Sequence, residues 1–330
     1  MFVKDPAEEA LERNLRPQRW DEYLGQKGVK DNLRVIIEAA KKRRDTLEHL
    51  LFYGSPGLGK TTLAHVIANE LGAHIKTCTG PTLEKAGDLA SLLTNLEEGD
   101  ILFLDECHRM QKSVMEMLYP ALEEFQLHLV MGRGPMARTM DLDLPRFTLI
   151  GATTRMALLP SPFRNRFGAI FQLQFYSQEE IKQILRRSSS LLRMPVDEDA
   201  LHLISARSRY TPRIANRILR RVRDFATIEG SGTITREIAE KAFSFLGIDE
   251  LGLEPADRKI LETLIHKFAG RPVGIQALAS AASEDADTIL DLNEPYLLQL
   301  GLLERTPRGR VATPLAFRHL HISPPRPELL

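Results

Sequence analysis

The first half of the chain alternates short apolar runs with longer amphipathic segments. Residues 50–53, 101–104 and 148–151 are largely apolar and are bounded by glycine, aspartate or proline, and residues 74–77 form a weaker run of the same kind. Such runs are typical of strands that are buried on both faces of a parallel sheet. Helical spacing between them predicts helices on both faces, so we predict an α/β domain over residues 1–176.

Three other patterns divide the rest of the chain. Apolar and polar residues alternate on either side of a Gly-Arg-Gly-Pro turn at 132–135, which predicts an inserted β-hairpin over residues 126–145. Residues 177–253 carry apolar side chains at offsets of three and four, which predicts a small helical bundle. Residues 254–330 combine three helical segments with two short strands around a turn at 306–309, a pattern typical of a winged helix-turn-helix domain.

Composition excludes several classes of protein. The chain has 330 residues, 43% hydrophobic and 27% charged, which is typical of globular proteins with two or three domains and not of fibrous or disordered ones. We find no apolar run long enough to cross a membrane and no signal-peptide pattern, so a cytoplasmic protein without a membrane partner is expected. The two cysteines, Cys78 and Cys107, lack the spacing of a disulfide framework or a zinc site.

A phosphate-binding loop follows the first predicted strand. The sequence Gly-Ser-Pro-Gly-Leu-Gly-Lys-Thr at 54–61, called the phosphate loop below, lies between a strand and a helix, as its chemistry requires. Gly57 and Gly59 let backbone N–H groups converge on phosphates, and Lys60 supplies positive charge to the β and γ oxygens. The Thr61 hydroxyl can ligate Mg²⁺, so the loop predicts a site for a nucleoside triphosphate and Mg²⁺.

Two carboxylates end the strand at 101–104. Asp105 is predicted to face the metal ion through a water molecule, and Glu106 to polarise the water that attacks the γ-phosphate. The alternative is a cap at the start of the next helix, which we favour less because the phosphate loop precedes the pair at a suitable distance. Cys107 and His108, which follow, are expected to be packing residues without a chemical role.

Hydroxyl and guanidinium groups add further candidates. Thr153 and Thr154 reach the same sheet edge as Asp105, where one could orient the attacking water, although a simple turn explains them equally well. Arg166 could reach the γ-phosphate of a neighbouring subunit and stabilise transition-state charge, whereas a surface arginine pair is the alternative. Arg213, at the start of a helix, could respond to the bound nucleotide, but the many arginines around it weaken that inference.

Charge distribution, not total charge, indicates how DNA would be bound. Lys and Arg balance Asp and Glu at 44 each, so a DNA contact needs a local cluster. Residues 284–294 hold five acids and no base, and a helix there would repel phosphate. Arg305, Arg308 and Arg310 crowd one turn and can neutralise phosphates without reading bases. We therefore predict sequence-independent contact with duplex DNA through this wing, with a solvated turn as the alternative.

Motifs spread along nearly the whole chain resemble those of the RuvB family of AAA+ proteins. They are Leu15-Arg16-Pro17, Tyr23-Leu24-Gly25-Gln26, the phosphate loop with Thr62, Asp105-Glu106-Cys107-His108-Arg109, Glu123-Glu124-Phe125, Gly151-Ala152-Thr153-Thr154-Arg155, Arg166-Phe167-Gly168, Thr211-Pro212-Arg213, Glu294-Pro295-Tyr296 and Arg305-Thr306-Pro307-Arg308-Gly309-Arg310. The combination is far more specific than a phosphate loop alone.

The resemblance implies a fold and a function. The fold would be an α/β AAA+ P-loop ATPase core with a small helical lid domain and a C-terminal winged helix-turn-helix domain. The function would be an ATP-hydrolysing, helicase-type motor: a homo-hexameric ring that pulls duplex DNA at four-way Holliday junctions during recombination, DNA repair and the SOS response to damage. RuvA would dock on the hairpin at 126–145, and RuvC would be the resolving nuclease.

The resemblance also implies roles for individual residues. Leu15, Arg16, Tyr23, Leu24 and Tyr176 would line the adenine end of ATP, Gly57, Gly59, Lys60, Thr61 and Thr62 the phosphates, and Glu123, Glu124 and Phe125 the vicinity of the site. Thr154 would be the first sensor, Arg166 the finger that enters the neighbour's site, and Arg213 the second sensor in cis.

Two other functions share these features. A nucleotide-gated regulator would use the winged helix to recognise an operator, and base-specific binding by a dimer would favour it. A remodeller similar to clamp loaders would use ATP to open another ring, and translocation along duplex DNA separates it from the motor.

Overall fold

The computed structural model describes residues 14–131, 138–230 and 232–323, with the backbone alone at 130, 131, 138 and 139. The chain divides into two compact units. The first comprises residues up to 54 together with 58–174, and the second comprises residues 55–57 together with those from 175 onward. No helix in the described part of the chain is long and apolar enough to span a membrane.

A five-stranded parallel sheet forms the centre of the first unit. The strands are β1 (Leu50–Tyr53), β2 (Ile75–Thr79), β3 (Ile101–Asp105), β6 (Thr148–Thr153) and β7 (Ala169–Gln172). They lie in the order β2-β3-β6-β1-β7. Strands β1, β3 and β6 are almost completely buried, as their apolar sequences require. The predicted α/β class is confirmed, whereas β7 was not predicted.

Helices cover this sheet. They are α1 (Lys27–Arg43), α2 (Lys60–Leu71), α3 (Ala86–Thr94), α4 (Lys112–Glu123) and the single turn α5 (Ser161–Arg164). Helix α2 buries Leu63, Ala64 and Ile67, and it ends at Gly72, whose φ of 67° allows its N–H to cap the last turn. Because α2 begins at Lys60, the buried face of this helix holds the C-terminal end of the phosphate loop in place.

An antiparallel hairpin is inserted between α4 and β6. It pairs β4 (Gln126–Met131) with β5 (Arg138–Asp143), in a register that places Leu127 opposite Leu142. Leu127 is buried, whereas the Met140 side chain is 42% exposed. The predicted turn at 132–135 lies outside the described residues.

The second unit begins with four helices. They are α6 (Gln178–Leu191), α7 (Glu198–Ala206), α8 (Pro212–Glu229) and α9 (Arg236–Leu246). Ser177 and Glu180 form a reciprocal capping box at the start of α6, and the Asp197 side chain caps α7. Gly230 and Gly247 end α8 and α9 in the left-handed conformation. These signals produce the predicted helical bundle.

A winged helix domain completes the second unit. Its helices are α10 (Pro255–Glu262), α11 (Ile275–Ala282), α12 (Ala286–Thr288), α13 (Glu294–Gln299) and α14 (Pro314–His319), with π-helical turns at 263–267 and 289–293. The wing pairs β8 (Leu303–Thr306) with β9 (Gly309–Ala312). Arg310 also forms a bridge to Val273. This arrangement confirms the predicted C-terminal fold.

A buried charge cluster joins the helical bundle to the winged helix domain. Arg209, with a side chain 7% exposed, pairs with the fully buried Asp257. Its Nε donates to the Gly252 carbonyl at 3.1 Å. The Asp257 carboxylate also accepts hydrogen bonds from Asn293 Nδ2 at 2.7 Å and from the Glu254 N–H at 2.8 Å. These hydrogen bonds and the opposite charges of the two side chains offset the cost of burying the pair.

Candidate active site

The phosphate loop has the backbone conformation that its glycines allow. Gly54, Gly57 and Gly59 have φ values of 147°, 83° and 100°. A Cβ at Gly54 would lie 2.5 Å from the Leu173 carbonyl oxygen, so only glycine fits there. The buried Lys60 side chain donates from Nζ to the Gly54 carbonyl at 2.7 Å. The loop thus holds an ammonium group beside the N-terminus of α2, an arrangement suited to anionic phosphate.

A hydroxyl and a carboxylate meet beside the loop. Thr61 Oγ1 donates to Asp105 Oδ2 at 3.2 Å, and Asp105 Oδ1 accepts the Glu106 N–H at 3.0 Å. Two hard oxygen ligands from adjacent elements suit Mg²⁺, which keeps most of its coordination for water and phosphate. Within the described residues, no cluster of three or more His, Cys, Asp or Glu side chains could hold a metal ion.

Glu106 lies at the end of β3 and contacts the end of β6. Its φ of 47° is uncommon for a residue with a side chain. Its Oε2 accepts a hydrogen bond from Thr154 Oγ1 at 3.2 Å and from the Thr154 N–H at 3.4 Å. Because β3 and β6 are hydrogen-bonded neighbours, the sheet brings together two of the predicted catalytic residues.

The turn after Glu106 contains a contact that the sequence did not predict. The His108 side chain is 4% exposed, and its Nδ1 lies 3.2 Å from Glu106 Oε2 and 2.9 Å from Thr153 Oγ1. An isolated histidine gives no sequence signal for this contact, because the 3₁₀ turn at 107–109 decides the ring's direction. Cys107 is buried in the core as expected, and burial raises the pKa of its thiol far above the usual range.

The residues expected at the adenine end fall in both units. In the first unit Leu15 and Tyr23 are buried and Leu24 is half-buried, and the Tyr23 hydroxyl would lie 2.9 Å from a Cβ at Gly59. Arg16 is near enough to His65 of α2 to help burial lower the pKa of that histidine. In the second unit Tyr176 is buried, and its N–H donates to the Tyr210 carbonyl at 3.0 Å.

The finger candidate Arg166 is held by other groups of its own chain. Its NH2 donates to Glu123 Oε2 at 3.1 Å, its NH1 donates to the Pro162 carbonyl at 2.5 Å, and its guanidinium carbon lies 4.1 Å from the Tyr119 ring centroid. Glu123, one of the residues expected near the site, is thus the acidic partner of Arg166. Glu124 is the C-cap of α4, and Phe125 packs edge-on against Phe147.

The second-sensor candidate Arg213 lies at the start of α8 and is exposed. Its Cβ would lie 3.1 Å from a Cβ at Gly57, one of the three loop residues that belong to the second unit. Arg213, Arg217, Glu254 and residues 55–57 contribute to the lining of a cavity of about 280 Å³. Thr62, on α2, is half-buried in the first unit.

The wing arginines are not equivalent. The fully buried Glu294 binds Arg305 Nε at 2.5 Å and Arg310 Nε at 3.1 Å. Arg310 is mostly buried, Arg305 is half-exposed, and Arg308 is exposed at the turn. Two of the three arginines expected to contact DNA therefore neutralise a carboxylate within their own domain.

The fold and the site define a class of protein. A parallel sheet in this strand order, with a phosphate loop after β1 and an acidic pair after β3, followed by a helical bundle, is that of an AAA+ P-loop ATPase, here with an added winged helix domain. Three family models match the chain: the Holliday junction DNA helicase RuvB P-loop domain over residues 15–173, the RuvB AAA lid domain over 176–249 and the RuvB C-terminal winged helix domain over 250–321. The chain belongs to the RuvB family.

Individual relatives agree with this assignment. The chain is 56% identical over 321 residues to the Holliday junction branch migration complex subunit RuvB of Dehalococcoides mccartyi (strain CBDB1), covering 97% of this chain and 91% of the relative. It is 54% identical over 320 residues to the subunit of the same name from Kosmotoga olearia, with 97% and 94% covered. The solved structure of the Thermotoga maritima RuvB Holliday junction branch migration motor superposes with a TM-score of 0.88 at 48% identity, covering 94% of this chain and all of that one. The predicted family, fold and nucleotide-hydrolysing class are confirmed.

Proposed function

We propose that this protein is an ATP-driven motor of Holliday-junction branch migration in recombination and DNA repair, which pulls duplex arms through a ring beside a RuvA-bound junction. The observation that carries the proposal is the assembly of Lys60, Thr61 with Asp105, and Glu106 with Thr154 at one sheet edge. The proposal draws its substrate from relatives at 54–56% identity that are named as branch migration subunits.

Each group at this edge has a part in ATP hydrolysis. Lys60 would hold the β- and γ-phosphates, and Glu106 would orient the attacking water, with Thr154 fixing the carboxylate. Thr61 would hold Mg²⁺ directly and Asp105 through water, and the ion supplies positive charge that offsets the charge of the phosphates. Arg213 would respond to the nucleotide in cis.

The remaining nucleotide contacts follow the family resemblance. Leu15, Arg16, Tyr23, Leu24 and Tyr176 would bind the adenine end, and Gly57, Gly59 and Thr62 the phosphates. Arg166 would leave Glu123 and stabilise transition-state charge in a neighbour's site, with Glu124 and Phe125 nearby. That role requires a ring of identical subunits, which we propose to be a homo-hexamer in the cytoplasm.

DNA and protein partners would bind elsewhere. The exposed Arg308, with the outer part of Arg305 and with Arg310, would contact backbone phosphates without reading sequence. RuvA would cover the hairpin at 126–145, where the exposed Met140 gives it an apolar contact. RuvC would act on the same junction as the resolving nuclease.

The test combines ATP turnover with unwinding of a synthetic four-way junction, with and without RuvA. We expect Glu106→Gln and Arg166→Ala each to lose nearly all steady-state turnover and a 1:1 mixture of them to regain part of it, because each supplies what the other lacks. Arg164→Ala is the matched control, since Arg164 hydrogen-bonds to Ser161 in its own turn and should be nearly neutral.

Other outcomes would replace the motor proposal. ATP turnover without any processing of junctions would favour the loader-type remodeller, and base-specific binding by a dimer would favour the regulator. Inactivity of the mixture would remove the role of Arg166 across a subunit boundary.

A further inference from the structure

A buried histidine beside the proposed catalytic carboxylate has no role in the steps given above. His108 lies two residues after Glu106, and its ring is nearly inaccessible to solvent. Its Nδ1 approaches Glu106 Oε2 and Thr153 Oγ1 at the same time, at 3.2 and 2.9 Å. A polar ring at this depth is held by its hydrogen bonds as well as by packing.

The partners of Nδ1 determine where the ring carries its proton. An ionised carboxylate only accepts hydrogen bonds, whereas the Thr153 hydroxyl, which accepts one from the Arg155 N–H at 3.0 Å, can also donate. The carboxylate is therefore the partner that decides the protonation of Nδ1. An unprotonated Nδ1 would direct its lone pair towards Glu106 Oε2, which is electrostatically unfavourable. A proton on Nδ1 makes the contact with Glu106 Oε2 favourable, with Thr153 Oγ1 as a second acceptor that shares the same proton, so we take His108 as the donor to the carboxylate.

Three donors therefore converge on one oxygen of Glu106. The Thr154 N–H and Oγ1 approach Oε2 from β6, and His108 Nδ1 approaches it from the turn that carries Glu106 itself. The Glu106 side chain is about one-third exposed and would be free to change rotamer without such contacts. With Oε2 held in this way, Oε1 is the oxygen placed to accept a hydrogen bond from an attacking water.

We propose that His108 is a positioning residue that holds the Glu106 carboxylate for ATP hydrolysis by donating from Nδ1 to Oε2. The proposal rests on the proposed function, in which Glu106 orients the attacking water. Thr154 holds the same oxygen from a different strand, so loss of His108 should loosen the carboxylate without freeing it completely.

The test measures ATP hydrolysis and ATP affinity in variants of the full chain. For His108→Leu we expect kcat to fall about tenfold, part of the 10²–10⁴ that a positioned acid or base contributes, with ATP affinity changed less than about twofold. His108→Asn should recover most of kcat, because its amide can place an N–H near the position of Nδ1. Cys107→Ala, in the same buried turn, is the packing control and should keep kcat and affinity within about twofold.

A double-mutant cycle separates positioning from a purely structural role. Measured in single turnovers, His108→Leu should cause no further loss in the Glu106→Gln background, because it acts only through the carboxylate. A wild-type kcat in His108→Leu, an equally slow His108→Asn, or an additive loss in the Glu106→Gln background would each overturn the proposal. Absence of ATP turnover in the wild-type protein would instead refute the proposed function itself.

Discussion

Replacing Arg209 with alanine should destabilise the second unit much more than replacing Arg217. Both arginines pair with Glu254, but the Arg209 side chain is 7% exposed and that of Arg217 is 50% exposed. Arg209→Ala would leave the Asp257 carboxylate buried without its cation. Breaking a buried pair in this way costs about 3–5 kcal/mol, whereas an exposed pair contributes about 0–1 kcal/mol.

The loss should also depend on pH. Burial raises the pKa of Asp257, and the charge of Arg209 opposes that rise. Without Arg209, the pKa of Asp257 in the folded state rises further above its value in the unfolded state. The folded protein therefore binds a proton at Asp257 more readily as the pH falls. The penalty of Arg209→Ala is therefore expected to be largest near neutral pH and to decrease towards acidic pH.

Urea unfolding of the full chain at two pH values tests both statements. Far-UV circular dichroism follows the helices of both units, whereas the fluorescence of the only tryptophan, Trp20, reports on the first unit and so identifies that unit's share of the transition. Adding Asp257→Asn to Arg209→Ala should restore part of the loss, because the orphaned charge is removed. Equal effects of Arg209→Ala and Arg217→Ala, or a penalty that grows on acidification, would refute the reasoning.

Three further predictions concern single residues. A Cβ at Gly80 would lie 2.4 Å from the Glu106 carbonyl oxygen, so Gly80→Ala should displace that turn and lower kcat at least about tenfold with ATP affinity retained, in steady-state turnover assays. Burial lowers the pKa of His49 below the ordinary histidine value of 6.5, so the stability contributed by the neutral ring is present above pH 6.5 and is lost as the pH falls through the lowered pKa. Melting temperatures measured at pH 7.5 and pH 5.5 should therefore differ less in His49→Gln than in the wild-type protein. A Cβ at Gly309 would lie 2.4 Å from the Val273 backbone, so Gly309→Ala should distort the wing and weaken duplex binding in anisotropy titrations while DNA-independent ATP turnover is unchanged.

The local sequence was sufficient to predict an element whose own residues determine its structure. Strand β1 begins and ends at the predicted residues, because three fully buried apolar side chains precede the first glycine of the loop. Strand β7 escaped prediction because it is a short edge strand whose residues are only half-buried or exposed. Its apolar residues are too few to give a period that can be distinguished from a loop.

In the candidate site and the wing, too, some contacts could be predicted from the local sequence and others could not. The contact of Thr61 with Asp105 follows from a loop and a strand that both end at one sheet edge, and each carries its own sequence signal. The pairing of Glu294 with Arg305 and Arg310 depends on how a helix packs against the wing, which spacing along the chain does not specify. For this reason the count of arginines in the turn overestimates the positive charge that reaches solvent.

That internal pairing has a consequence for the counterions of DNA. Each phosphate neutralised by a protein cation releases condensed salt ions, and the slope of log affinity against log salt is about −0.9 per phosphate for duplex DNA. An arginine whose charge is already balanced by Glu294 adds little to that release. Glu294 carries one negative charge and pairs with two arginines, so about two of the wing's three positive charges remain unbalanced. The wing of each subunit should therefore contribute a slope nearer to −2 than to the roughly −3 of three free arginines. This reduced dependence of affinity on salt suits DNA contacts that have to be broken and formed again at every step along the duplex.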